Sequence, residues 1–212
     1  MQSGESLRDK LLAEVETMAP ILTQHAAQLE KLGRLDEPTV ETLRKTRLLR
    51  FVCPRELGGY EADPVTEMEV LEAVTRIDGS AGWTLGILAI TSAFAGAFLP
   101  VETAQRIFAK GVPPMAGMIQ ARGKAEPVTG GYRVTGRWAF GSGIYHADWV
   151  IAGAFLPDQF SRKVLPSYSR RYNPRRCNSG TTRSTKSSSP PGRYGNMMVK
   201  PSLPSVESHS SI

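Results

Sequence analysis

The stretch from Gly130 to Phe155 constrains the chain most, because it alternates extended apolar segments with glycines at close intervals: Gly-Gly-Tyr-Arg-Val-Thr-Gly-Arg-Trp-Ala-Phe-Gly-Ser-Gly-Ile-Tyr-His-Ala-Asp-Trp-Val-Ile-Ala-Gly-Ala-Phe. Tyr132, Val134 and Trp138 fall on one side of a period-2 pattern, and Trp149-Val150-Ile151-Ala152 is an apolar run, so two strands are predicted around a glycine turn. The turn is Phe140-Gly141-Ser142-Gly143. Small residues there allow a backbone to come close to a flat ligand, and one hydroxyl can reach an acceptor at its edge. By itself such a turn reads first as a hairpin connection.

Upstream, the apolar period changes to that of helices. Leu7, Leu11, Leu12, Val15, Ala19, Leu22, Ala26, Leu29 and Leu32 recur at three- and four-residue steps, which predicts one long amphipathic helix over residues 5–32, bent before Pro20 and ended by Gly33. Asp36 is placed to cap a second helix with Pro38 in its first turn, whose buried stripe is Val40, Leu43 and the Leu48-Leu49 pair. Phe51-Val52-Cys53-Pro54 is extended, Gly58-Gly59 turns the chain, and Val65 to Ile77 forms a third helix. Asp78-Gly79-Ser80 caps a fourth, Ala81 to Leu99, apolar nearly all round. Its length would suit a membrane span, yet its capped start, Pro100 and its amphipathic neighbours favour a buried core helix. Val101 to Ala109 is a last short helix, and Met115 to Gln120 opens the β region.

Charge divides the chain. Residues 1–155 carry 16 Lys+Arg against 18 Asp+Glu, whereas residues 156–212 carry 10 against 2, with thirteen serines and seven prolines. That tail lacks periodicity, so no packed core is expected in it. Its positive charge would draw nucleic acid or anionic membrane without sequence preference, but no binding module accompanies it, which disfavours a nucleic-acid-binding or membrane-binding protein. Cys53 and Cys177 fall on opposite sides of the divide and imply neither a disulfide nor a metal site. No apolar leader is visible, and a reducing cytoplasm is the expected compartment. A dinucleotide or phosphate-loop fingerprint is absent from the sequence.

The segment Gly-Gly-Tyr-Arg-Val-Thr-Gly-Arg-Trp-x-Phe-x-Ser-Gly, followed by His-Ala-Asp-Trp, resembles the middle domain of the acyl-CoA dehydrogenase superfamily. The helix, Val-x-Pro, Leu-Gly-Gly-Tyr order of residues 40–60 is similar to that superfamily's N-terminal domain, and Asp78-Gly-Ser-Ala-Gly-Trp83 to its flavin-dependent monooxygenases, which hydroxylate aromatic compounds with reduced flavin from a partner reductase. Where the dehydrogenases usually carry Glu-Pro-Gly-Ala-Gly-Ser-Asp and Trp-x-x-Thr-Asn segments, this chain has Met115-Ala-Gly-Met-Ile-Gln120 and Trp138-Ala-Phe-Gly-Ser142, which favours the monooxygenase branch over an acyl-CoA dehydrogenase acting on a CH–CH bond.

The resemblance implies an α+β architecture. Residues 1–110 would form an all-α domain and residues 111–155 the start of an antiparallel β domain, with the family's C-terminal helical bundle missing. It further implies an oxidoreductase using FAD or FMN on an aromatic or polycyclic substrate. The same resemblance implies Ser142 as the catalytic hydroxyl, with Trp138, Phe140, Ser142 and Gly143 holding the flavin. Trp83 and Thr91, two turns apart on the fourth helix, would then face the substrate. The chemistry required of Ser142 is a hydrogen bond to the flavin edge in a site that excludes water, which would otherwise divert the reaction to hydrogen peroxide. By itself Trp83 reads as a core tryptophan, and His146 as a surface or hydrogen-bonding residue rather than an acid or base.

The family's bundle also builds a homotetramer, and the basic tail stands where that bundle should follow. Codons for Ser184-Thr-Lys-Ser-Ser-Ser-Pro190, shifted by one base, can spell Asp-Glu-Val-Phe-Val-Pro, similar to the strand that closes the family's β domain. Residues 156–212 are therefore expected to be disordered or an out-of-frame product, and a truncated, inactive relative is the alternative to an active enzyme.

Overall fold

The computed structural model describes residues 5–128, 131–139, 141–156, 159–167, 181–182 and 195–199. Among these residues five α-helices come first. Helix α1 (Leu7–Leu32) starts where the Ser6 side chain accepts the Asp9 N–H, and it ends where Gly33 takes a left-handed conformation. Its buried residues Leu11, Val15, Met18, Leu22 and Leu29 follow the helical period, and Pro20 lies inside it without ending it. Asp36 caps α2 (Glu37–Lys45) by accepting the Thr39 N–H. This helix is shorter than the apolar pattern predicts: Leu48 and Leu49 are buried, but from a 3-10 turn, Leu48–Arg50, that follows it.

Helices α3 (Pro64–Ile77) and α4 (Gly79–Phe98) meet at Asp78, which ends the first and caps the second by accepting the Ala81 N–H. They pack closely because Gly82 brings α4 against Thr75: an added Cβ would lie 2.1 Å from the Thr75 hydroxyl. A short helix, α5 (Val101–Phe108), leads to the sheet.

Helix α4 is 20 residues long and apolar enough to cross a membrane by length and composition. Its buried residues, among them Leu85, Leu88, Ala89, Ser92 and Ala95, form one side. Leu85, Leu88 and Ala89 join a core containing Leu11, Val15, Leu22, Phe51, Val70 and Val74, and also Ala116, Ile144 and Val150 from the β region, whereas Ala95 packs with Cys53, Phe108 and Met115. The opposite side, with Trp83, Ile90 and Phe98, is exposed.

Among the described residues seven strands follow: β1 (Met115–Val128), β2 (Gly131–Gly136), β3 (Trp138–Ala139), β4 (Trp149–Leu156), β5 (Gln159–Ser167), β6 (Thr181–Thr182) and β7 (Gly195–Val199). The main sheet has the order β5-β4-β1-β2-β7, and β3 pairs with β6. The α+β class is as expected, with one difference inside it. The segments on either side of the glycine turn do not pair with each other: β1 lies between β2 and β4, antiparallel to β2 and parallel to β4, so the sheet is mixed. A parallel neighbour needs a long connection, which β2, β3 and the following turn supply.

One hydroxyl ties helix to sheet. Ser92, fully buried on α4, shares its hydrogen between the carbonyls of Leu88 (2.7 Å) and Pro113 (2.8 Å) and accepts the N–H of Met115 at 3.1 Å. Ser92→Ala leaves the Met115 N–H and the Pro113 carbonyl without that partner, and we expect a loss of about 2 kcal/mol in urea unfolding.

Candidate functional site

The predicted turn folds back onto α4. Gly143 has φ of 74°, a left-handed conformation that favours glycine, and precedes a 3-10 turn, Ile144–His146. An added Cβ would lie 3.0 Å from Leu88 and 3.7 Å from Thr84, so the turn rests on the helix at these two residues. Ile144 anchors it by entering the main core, which Leu88 also joins.

This placement brings together two residues singled out from separate parts of the sequence. The indole Nε1 of Trp83 donates a hydrogen bond to Ser142 Oγ at 3.1 Å. Trp83 is not a core tryptophan, since it is 64% exposed. Its ring and the Ser142 hydroxyl therefore form one surface, with an apolar plane beside a hydrogen-bonding edge.

The other expected residues are placed differently. Trp138 is buried, with Gly123 and Gly136 against its ring: an added Cβ would approach ring carbons to 2.5 Å and 2.6 Å respectively. Its Nε1 donates to the Gly153 carbonyl at 2.9 Å. Trp138 thus packs within the sheet, with Ala125, Val134, Ala152 and Ala154. Thr91 is half-buried on α4. Eight residues at 100° each carry it about 80° round the helix from Trp83, whereas Ile90 lies only about 20° away and is 47% exposed. Ile90 was not expected here, although a seven-residue step is the better signal for a shared face. Phe140 lies outside the described residues.

Beyond the turn, the chain is clamped to the α1–α2 corner. Arg44 holds both carboxylate oxygens of Asp148, at 2.9 Å and 3.1 Å, and donates to the His146 carbonyl at 3.0 Å. The Arg34 guanidinium lies 5.0 Å above the Tyr145 ring. Burial, and then the charges of Arg34 and Arg44, pull the His146 imidazole down to about 4, so it is neutral near pH 7. On the far side of the corner, His25 Nδ1 is 2.6 Å from Asp36 Oδ2. Burial raises Asp36, but hydrogen bonds from Thr39 and His25 outweigh it and hold the carboxyl below its usual range. Burial pushes the Cys53 thiol up to about 12, which keeps it protonated and unreactive. Among the described residues no group of three His, Cys, Asp or Glu could hold a metal ion.

The donor set fits one edge of a flat heteroaromatic ring: a hydroxyl on a tight turn, next to an exposed indole. No family model matches the chain. It is 30% identical over 160 residues to a pigment production hydroxylase of Rhodococcus erythropolis, covering 74% of this chain and 40% of that protein. It is 29% identical over 150 residues to the flavin-dependent monooxygenase oxygenase subunit HsaA of Rhodococcus jostii strain RHA1, covering 67% and 37%. Among solved structures, XiaF from a Streptomyces species, in complex with FADH2 and glycerol, superposes with a TM-score of 0.69 at 26% identity, over 77% of this chain and 42% of that one. The chain spans about two-fifths of the length of the curated relatives it matches. Sequence likeness and shared architecture together place it in the acyl-CoA dehydrogenase superfamily, where the proteins it is similar to are flavin-dependent monooxygenases.

Proposed function

We propose that this chain is the flavin-facing part of a monooxygenase oxygenase component that acts on an aromatic or polycyclic substrate, taking reduced FAD or FMN from a separate reductase in the cytoplasm. The observation that carries the reading is the Trp83–Ser142 pair, a hydroxyl and an exposed indole brought from distant parts of the chain onto one surface. When bound, reduced flavin supplies the electrons that activate oxygen, one atom entering the substrate and the other leaving as water. Ser142 donates its hydroxyl hydrogen to the ring edge, and the Gly143 amide is the second donor. The Trp83 ring covers apolar surface and keeps water from it. The face of α4 that carries Trp83 and Ile90 is the substrate side, with Thr91 at its margin. Two relatives support the reading, one an oxygenase subunit and the other solved in complex with FADH2.

The test is anaerobic titration of the chain with reduced FMN and reduced FAD. Ser142→Ala is expected to weaken binding about tenfold, the value of one well-placed hydrogen bond. Unchanged affinity would remove Ser142 from the site, and no binding by the unsubstituted, folded chain would sink the flavin reading.

A second reading, a relative that folds but has no activity by itself, is favoured by the exposed apolar side of α4, where Trp83, Ile90 and Phe98 are 64%, 47% and 74% exposed. It predicts strong binding of an apolar dye by the purified chain, and a protein that binds reduced flavin while ignoring the dye would count against it.

A further inference from the structure

We infer that Trp83 is a positioning residue for Ser142, setting which way the serine hydroxyl presents its hydrogen; this rests on the flavin reading above. An indole N–H can only donate, so the bond of 3.1 Å between Trp83 Nε1 and Ser142 Oγ makes the serine oxygen the acceptor. The hydroxyl hydrogen is therefore turned away from the indole. A hydroxyl is free to rotate and can either donate or accept, whereas one that already accepts a bond is biased towards donating its own, and its O–H is polarised by the bond it receives. Trp83 thus converts an ambivalent group into a directed donor, which is what the acceptor edge of a reduced ring needs.

Both partners are held by independent supports, so their approach is not an accident of two mobile side chains. Trp83 sits in the first turns of α4, whose start is fixed by Asp78 accepting the Ala81 N–H at 2.7 Å and by the packing of Gly82 on Thr75. Ser142 sits beside Gly143, whose left-handed backbone rests on Thr84 and Leu88 of the same helix. Helix and turn form one frame, and the indole bond spans it. The role assigned to Trp83 is distinct from covering the ring, because the first depends on the N–H and the second on the apolar plane.

The two roles separate in a double-mutant cycle on the full chain, using Trp83→Phe, Ser142→Ala and their combination, with anaerobic titrations of reduced FMN and reduced FAD and far-ultraviolet circular dichroism as the folding control. Trp83→Phe keeps an aromatic plane and removes the N–H; it is expected to weaken reduced flavin about fivefold. In the Ser142→Ala background the same change is expected to have no further effect. Equal affinity of Trp83→Phe and the unsubstituted chain, or losses that multiply in the double variant, would overturn the inference and leave the flavin reading standing. No binding by the unsubstituted chain would overturn the flavin reading instead. The hydrogen bond is then still decided without ligand, by the Trp83 indole N–H resonance of the nitrogen-15-labelled chain. That signal, assigned by its loss in Trp83→Phe, should move upfield in Ser142→Ala, and an unmoved signal overturns the inference.

Discussion

Trp138→Ala is expected to destabilise the protein by about 4 kcal/mol, the range for emptying a buried aromatic site. The ring is 3% exposed and lies against Gly123 and Gly136, which have no side chains to move into the space it would leave. The substitution also leaves the Gly153 carbonyl without the indole N–H it accepts at 2.9 Å. Urea unfolding monitored by circular dichroism gives the value, and Trp138→Phe, which keeps most of the volume but not the N–H, should lose only about 2 kcal/mol. A loss below about 1 kcal/mol for alanine would mean that the space collapses and that Trp138 is not a core residue.

The second large effect is a loss of stability on mild acidification. His146 is held down to about 4 by burial and by the nearby charges of Arg34 and Arg44, against an ordinary value of 6.5. Between these two values the unfolded chain binds a proton that the folded chain does not, so protonation pulls towards unfolding and stability falls as pH falls from about 6.5 to about 4. The difference corresponds to about 3 kcal/mol at pH 4 relative to pH 7. Asp36 adds a loss in a lower window. Its folded carboxyl is depressed, so its contribution is complete above the unfolded value of about 3.9 and disappears as pH drops through the folded one. Urea midpoints measured from pH 7 to pH 4 should show the slope, and His146→Gln, which has no proton to gain, should flatten it. Parallel pH profiles for the two proteins would rule His146 out as the source.

Much of this fold is legible in the sequence because it is written locally. Asp36 and Asp78 each cap the helix that their position announces, and the apolar period of α1 gives its buried face directly. The errors come where local signals do not say what lies across the fold. Leu48 and Leu49 continue the apolar period of α2 but are buried after that helix has ended, because a short 3-10 turn can bury a pair of leucines without continuing a helix. The parallel pairing of β1 with β4 leaves no mark in either strand, and a glycine turn between two apolar runs looks like a hairpin until a third strand comes between them.

The site was legible as residues and not as an arrangement. Ser142 and Trp83 are both recognisable from their surroundings, but nothing in the chain announces that one donates to the other. Trp138 has the same alternating context as any strand residue. Its cover comes from glycines at 123 and 136 that meet its ring only when β1 and β2 pair. Thr91 shows the limit of reasoning by turns: an eight-residue step overshoots two helical turns, and Ile90 keeps the face better.

The helical residues and the first strands share one continuous core, in which Leu85 and Leu88 of α4 lie with Ala116, Ile144 and Val150, and the Ser92 hydroxyl is bonded across the same junction. A sequence boundary near residue 110 is therefore not a thermodynamic one. Heat should melt the two parts in a single cooperative step, with calorimetric and van't Hoff enthalpies in agreement, and a chain cut at that boundary should yield two fragments that fail to fold apart rather than a stable helical half.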